Sequence, residues 1–507
     1  MTQTNPKKSG WISKSLAFIE VVGNKLPDPL TLFFIFCIAV IIISAIAAAF
    51  NVSVVNPATD ETITAVSLLT PDGIRRIVTD AVTNFTEFPP LGTVIVAMLG
   101  VGVAEATGLL AALLRQLVLI APAKLISPTV VFAGVMSNIA SDAGYVVLVP
   151  LGAIVFLAFR RHPLAGMAAA FAGVSGGFSA NLLLSPLDPL LAGLSQSAAQ
   201  LIDPNYVVNA TANYYFLAFS TLLVTLVGWY VTDKIVEPRL GRYEGEAEAQ
   251  MQELSARERQ GLRWAGYSLL AFIVFIAALV LPPQGILRNP ETGEIIPSPF
   301  IDGIVFLIAI AFLIPAIAYG KAAGTVRNDK DVAQSMGHAM STLGYYIALA
   351  FIAAQFVAYF NWSNLGLITA VNGANFLRAT GVTGAPILLL FVLLTVFLNL
   401  FVGSASAKWA IMAPVFVPML MLVGYSPELT QAVYRIGDST TNIITPLMPY
   451  FPIVVAFGQK YDKNLGIGTL ISLMLPYSVG FLVCWTILFF IWLFLGIPVG
   501  PGAPIRI

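Results

Sequence analysis

Residues 125–159 read LISPTVVFAGVMSNIASDAGYVVLVPLGAIVFLAF, and residues 384–425 read GAPILLLFVLLTVFLNLFVGSASAKWAIMAPVFVPMLMLVGY. Each run is apolar except for a small, polar centre: SNIASDAG (137–144) in the first and VGSASAK (402–408) in the second. One bilayer crossing takes about 20 residues, so each run is too long for a single span. Ser, Asn and Asp compete for the backbone at those centres, and Gly weakens a helix further. Both runs therefore predict re-entrant hairpins, two half-helices meeting at a tip inside the membrane. Such backbone is tolerated at that depth only where protein or a watery cavity surrounds it.

The rest of the chain agrees with a membrane setting. Of 507 residues, 58% are hydrophobic and 10% charged, against about 25% charged in soluble domains. Basic and acidic residues balance at 26 each, which argues against nucleic acid as a partner. Cys37 and Cys484 both lie in apolar runs, so neither a disulfide framework nor a metal cluster is expected. His162 and His338 stand beside basic or polar residues, with no metal-ligand partner nearby. No H-E-x-x-H pattern occurs, and the one G-x-S-x-G match, GVSGG (173–177), sits within an apolar helical segment, with no Ser–His pairing suggested by the two loop histidines, so the chain does not read as an enzyme.

Seven further segments read as plain crossings: 28–50, 92–115, 213–233, 263–282, 301–320, 343–360 and 466–496. Two more, 164–190 and 429–457, are apolar but interrupted by Gly, Ser, Thr, Asn and Pro. The expected fold is an all-α integral membrane protein of nine transmembrane helices plus two re-entrant helical hairpins. Lys and Arg collect in 1–27, near 115–124, at Arg160 and Arg161, in 233–263, and near 321–330 and 460–463. The excess of basic residues on inner loops then puts the N-terminus in the cytoplasm and the C-terminus outside, provided that the two hairpins open to opposite sides. Residues 1–27 become a cytoplasmic lead-in, 28–232 a first half, 233–263 a charged cytoplasmic linker and 264–507 a second half.

The halves echo each other. Pro150 and Pro163 share one offset with Pro414 and Pro427, Asn181 aligns with Asn442, and SPLDP (185–189) aligns with TPLMP (445–449). Each half runs hairpin, then broken helix, so the repeat is inverted. Paired discontinuous helices in such a repeat mark the midplane site of a secondary transporter. Their half-helix N-termini favour anions, and their freed carbonyls can hold a cation.

Ionisable residues inside a bilayer need a partner or a task. Asp438 lies in RIGDSTTN (435–442), with Arg435 and Asn442 on one helical face. Together with Asn399 and Gly403 it offers a hard-oxygen set for Na+; a structural Arg435–Asp438 pair is the alternative. Asp188, between Pro186 and Pro189, predicts an extended backbone at a helix break and a proton-binding carboxylate, or else a helix cap. Asp142 and Lys408 sit at the two tips, lining a substrate path or reaching water. Glu105 fits a structural hydrogen bond as well as a function. Ser404 and Ser406 offer hydroxyls, and Trp409 an aromatic face that could equally be packing.

These residues carry a resemblance along nearly the full length. SNIASDA (137–143), RRHP (160–163), ANLLLSPLDPLLAG (180–193), TDKIVEPRLG (232–241), QGILRNP (284–290), SPF (298–300), AQFVAYFNWSN (354–364), GSASAKWAIMAPVFVPM (403–419), RIGDSTTN (435–442) and GIPVGPG (496–502) resemble the p-aminobenzoyl-glutamate transporter (AbgT) family. The resemblance implies a homodimer in the bacterial inner membrane, with a basin facing the cytoplasm and an inner transport core within an outer scaffold. It implies ion-coupled transport of p-aminobenzoyl-glutamate, with export of sulfonamides by some members. It assigns functional positions to Asp188, Ser406, Trp409, Pro427, Arg435, Asp438 and Pro446, and a sodium site to Asn399, Gly403, Asp438 and Asn442. No cofactor is implied; the coupling ion is Na+ or H+. A sodium-coupled dicarboxylate importer of similar architecture is the rival reading.

Overall fold

The first apolar run folds as its caps dictate. Asp28 accepts the Leu30 N–H ahead of Pro29, and helix α1 (Pro29–Ala49) follows. The computed structural model describes residues 27–55, 61–140, 144–245, 253–381, 384–445 and 447–507. The chain is 72% helix, and its one sheet among the described residues is a small antiparallel hairpin, β1 (Ser53–Val55) with β2 (Thr62–Thr64).

The first half continues with α2 (Pro89–Ala106), α3 (Leu109–Leu119), α4 (Ile126–Met136), α5 (Val149–Ala158), α6 (Pro163–Phe171), α7 (Leu187–Ala199) and α8 (Tyr214–Val231). The second half holds α9 (Ala256–Val280), α10 (Ile304–Ala323), α11 (Asp329–Thr342), α12 (Gly344–Trp362), α13 (Leu365–Ala379), α14 (Ala385–Asn399), α15 (Ala405–Met421), α16 (Pro427–Thr441), α17 (Phe451–Gly458) and α18 (Ile467–Leu495).

Among the described residues, seven helices are long and apolar enough to cross a membrane. They are α1, α2, α8 with its extension to Leu240, α9, α10, α12 and α18. The count reaches eight if the bent pair Leu109–Leu119 and Ala123–Ile139 is one span. The expected crossing 92–115 is not continuous. Gly108, at φ 86°, adopts a left-handed conformation that separates α2 from α3, and a 113° bend follows before α4.

The two long runs break where their polar centres stand. The first is interrupted after α4, and the chain comes back so closely that a Cβ on Gly144 would lie 2.1 Å from Ser137 Oγ. The tip residue Asp142 lies outside the described residues. The second run is interrupted between α14 and α15, at residues 400–404. The expected broken helix 164–190 runs from α6 through a wide π-helical turn to Gly176, stops, and restarts as α7. Helix α9 starts earlier than expected, at Ala256, behind a reciprocal cap between Ser255 and Glu258.

Two packed bodies result. One apolar cluster joins α4 to α8 with α14 to α18, and α1 and α12 pack on it. A second joins α2 and α3 with α9, α10 and α11. Within the larger body, α4 meets the end of α6 at Gly134 and Gly173, where a Cβ on Gly173 would lie 2.3 Å from the Val131 carbonyl. Helix α7 bridges the bodies, touching α2 on one side and α15 and α16 on the other.

Candidate functional site

Helix α16 is the axis of the site. Ser426 caps it by accepting the Leu429 N–H, Pro427 takes its first position, and every residue from Pro427 to Thr441 is buried. Its sequence is nonetheless polar, PELTQAVYRIGDSTT, so each polar group must find a partner inside the protein. Helices α7, α14, α15 and α18 surround it.

Two ion pairs form on this axis, both between elements. Asp438 Oδ1 lies 2.6 Å from Lys408 Nζ, on α15, and both side chains are at most 2% exposed. Arg435 Nη1 lies 2.6 Å from Asp188 Oδ1, on α7. The alternative pairing of Arg435 with Asp438 along α16 is not what forms. Lys408 also corrects its expectation: it neither reaches water nor lines an open path, but is buried against Asp438.

Asp188 is not in extended backbone. It occupies the first turn of α7, where its Oδ2 accepts from the Ser185 N–H (2.6 Å) and hydroxyl (3.0 Å). Pro186 and Pro189 are compatible with that turn because the first N–H groups of a helix have no intrahelical partner. Asp188 is therefore half of an ion pair and ties the start of α7 back to Ser185, without capping the helix.

Asn399 closes α14 and knits the second tip to α16. Its Nδ2 lies within hydrogen-bond distance of the Asp438 carbonyl (2.6 Å), Thr441 Oγ1 (2.8 Å) and Asn442 Oδ1 (2.8 Å). Its Oδ1 accepts from Lys408 Nζ, which also donates to the Val402 carbonyl at 3.3 Å. The Tyr434 hydroxyl donates to the Ala405 carbonyl (2.6 Å) and stands 3.3 Å from Asp438 Oδ1. Two oxygens of the set expected to hold Na+, Asn399 Oδ1 and Asp438 Oδ1, thus face an ammonium already supplied by the chain. Three buried atoms of this centre have no hydrogen-bond partner: Asp438 Oδ2, Arg435 Nε and Arg435 Nη2.

In front of this centre opens a cavity of about 600 Å³. Gly403, Ser404, Ser406 and Asn442 give it a polar wall. A Cβ on Gly403 would lie 2.9 Å from the Leu447 carbonyl, so the two interrupted segments touch there. Tyr145, Phe178, Phe401 and Tyr450 give it aromatic walls, and Tyr145 and Tyr450, one from each half, stack at 4.3 Å. Ser404 caps α15 by accepting the Ala407 N–H, so the positive end of that helix faces the cavity.

Of the expected residues, Gly403, Ser406 and Asn442 line the cavity, while Asp188, Asn399, Arg435 and Asp438 form the buried layer behind it. Trp409 is fully buried, donates to Ser195 Oγ at 3.0 Å and packs on Tyr434, so it presents no face to the cavity. Pro427 starts α16 and lies off the cavity. Pro446 lies outside the described residues. Sequence reading leaves unmarked Tyr434 and Thr441, in the buried layer, and Asp28, at the cavity's edge. Tyr434 was accessible, standing one helical turn before Asp438.

Fold and cavity together define a multi-pass membrane protein of the transporter class. The sequence profile of the AbgT transporter family matches residues 14–507, and the chain belongs to that family. It is 41% identical over 502 residues to the p-aminobenzoyl-glutamate transport protein of Escherichia coli (strain K12), covering 99% of both chains. It is similar to the YdaH transporter of Alcanivorax borkumensis, whose crystal structure is described as revealing an unusual topology, with a TM-score of 0.91 and 49% identity over 94% of this chain and 100% of that one. It is also similar to MtrF of Neisseria gonorrhoeae, described as illuminating a class of antimetabolite efflux pumps, with a TM-score of 0.92 and 51% identity over 97% and 100% of the two chains.

Proposed function

We propose that this protein is an ion-coupled secondary transporter of p-aminobenzoyl-glutamate and related aromatic anions, and that it exports sulfonamide antimetabolites. The observation that carries the reading is the pair of buried salt bridges, Lys408–Asp438 and Arg435–Asp188, behind a cavity with one polar and one aromatic side. The relatives' names supply the substrate. In this reading the glutamate carboxylates meet the N-terminal turn of α15 at Ser404 and Ser406, and the ring packs among Phe178, Phe401 and Tyr450. Arg435, with two unpartnered nitrogens, attracts the anion from behind.

Coupling follows from the crowding around Asp438. Lys408 holds the oxygens of Asn399 and Asp438, so a Na+ entering there must displace the ammonium, and a proton on Asp438 must release it. Either ion loosens the tie between α15 and α16 and frees the 400–404 segment to move. The nine crossings and two opposed hairpins, with a cytoplasmic N-terminus and a periplasmic C-terminus, complete the reading as a homodimer in the bacterial inner membrane that works by alternating access.

Flux in proteoliposomes tests it, with Na+ and pH gradients imposed separately. Saturable flux of p-aminobenzoyl-glutamate and of a sulfonamide, driven by one gradient, is expected. Transport of succinate in preference to both would instead make the chain a dicarboxylate importer.

A further inference from the structure

The two halves share more than motifs. Asn138 and Asn399 end the first arm of each interrupted run, and each points its Nδ2 at a backbone carbonyl, that of Gly177 (3.4 Å) and that of Asp438 (2.6 Å). Asn138 with Asn399, Gly177 with Asp438, and Asn181 with Asn442 all stand at one common sequence offset. The same bond is thus built twice, at corresponding positions.

What differs is the cation. In the second half, Asn399 Oδ1 accepts from Lys408 Nζ. In the first half the second arm, residues 144–159, carries no lysine or arginine, and Asn138 Oδ1 is buried with no partner. Ser179 Oγ and Asn181 Nδ2 are also buried without partners, and the three side chains are 3–5% exposed. Ser179 is held in place from the other half, its N–H donating to Ser439 Oγ at 3.0 Å. Buried polar atoms left without a partner are costly, and these lie on Asn138 and within four residues of Gly177, to which Asn138 is bonded.

We propose that the first half carries a second cation site, in which Asn138 Oδ1 and Ser179 Oγ bind Na+ where the second half uses Lys408. The ligands are hard and neutral, which suits a small monovalent ion; a divalent ion would demand carboxylates. Gly177 in place of Asp438 makes this site weaker than the one behind Gly403. The site goes beyond the transport reading, because ion binding is measured without any organic substrate.

The test counts 22Na+ bound to purified full-length protein, with choline replacing Na+ to hold ionic strength. Wild type is compared with Asn138→Ala, Ser179→Ala and Asn138→Asp, each first checked for monodispersity and for its melting temperature in choline. Saturable Na+ binding is expected in wild type and should persist in Asp438→Asn. Asn138→Ala and Ser179→Ala should weaken that remaining binding at least about tenfold, and Asn138→Asp, which keeps the oxygen and adds a negative charge, should strengthen it. Isotherms left unchanged by both Asn138→Ala and Ser179→Ala overturn the proposal, as does loss of all Na+ binding in folded Asp438→Asn. Asn138→Asp keeps the test open should the truncations misfold, since unaltered binding in that variant also overturns it.

Discussion

At Asp438 a single carboxylate faces an ammonium, a tyrosine hydroxyl and a helix of buried polar groups. Removing one partner of a buried pair strands the other, at a cost of about 3–5 kcal/mol. Asp438→Ala is therefore expected to lower the melting temperature as well as to stop transport, because Lys408 remains buried and unpaired. The double replacement Lys408→Met with Asp438→Asn should recover most of the stability; thermal melts of the two singles and the double measure the coupling. A second prediction lies at the α5–α6 corner. His162 Nδ1 accepts the Leu164 N–H there, and burial lowers its pKa despite the nearby charges of Glu237 and Asp462. The folded-state value is thus below the unfolded one, near 6.5. The stability held by this residue is complete above the unfolded value and is lost as pH falls through the window below it. Melts at neutral and mildly acidic pH should show that loss in wild type and a smaller one in His162→Asn, which keeps a cap acceptor and does not titrate. An equal loss in both would rule the histidine out.

At the scale of the element, the interruptions carry the design. Helix α15 starts at Ser404 only because the 400–404 segment can lie against residues 447 and 448, and Gly403 makes that approach possible. Gly403→Ala should push the two segments apart by several tenths of an ångström; the expected result is at least about tenfold slower flux with little change in melting temperature. Wild-type flux would show that the contact has no part in the cycle. Much of this level was legible in the sequence. The long apolar runs announced themselves through the bilayer's thickness, and the breaks through Ser, Gly and Asn at their centres. The pairing of charges was not legible: Arg435 and Asp438 share a helical face, yet tertiary packing gives each a partner on another helix. The start of α7 was misread because prolines on both sides of Asp188 suggest extended chain, whereas the first turn of a helix accepts them. Helices α11 and α13 escaped notice because one is polar and the other carries Asn and Arg among its apolar residues. Trp409 looked available for stacking because exposure cannot be read from residue type.

For the whole molecule, the transport reading depends on the halves' opposite orientation. Lys124 and Arg160 flank the first interrupted run, and both are exposed. With Cys37 and Cys484 replaced, Lys124→Cys and Arg160→Cys should both react with a membrane-impermeant thiol reagent from the cytoplasmic side. Labelling from opposite sides would make 125–159 an ordinary crossing and remove the basis of an inverted repeat. The arrangement of the two bodies, with α7 between them, gives the larger one a partner against which to move.

The most direct test of the central claim, that the buried pair on α15 and α16 is the coupling element and not only a brace, is gradient-driven uptake of p-aminobenzoyl-glutamate by proteoliposomes holding the charge-free Lys408→Met, Asp438→Asn double variant. The account predicts a folded, monodisperse protein whose flux no longer responds to a Na+ or pH gradient. Gradient-driven flux at the wild-type rate in that variant would contradict it.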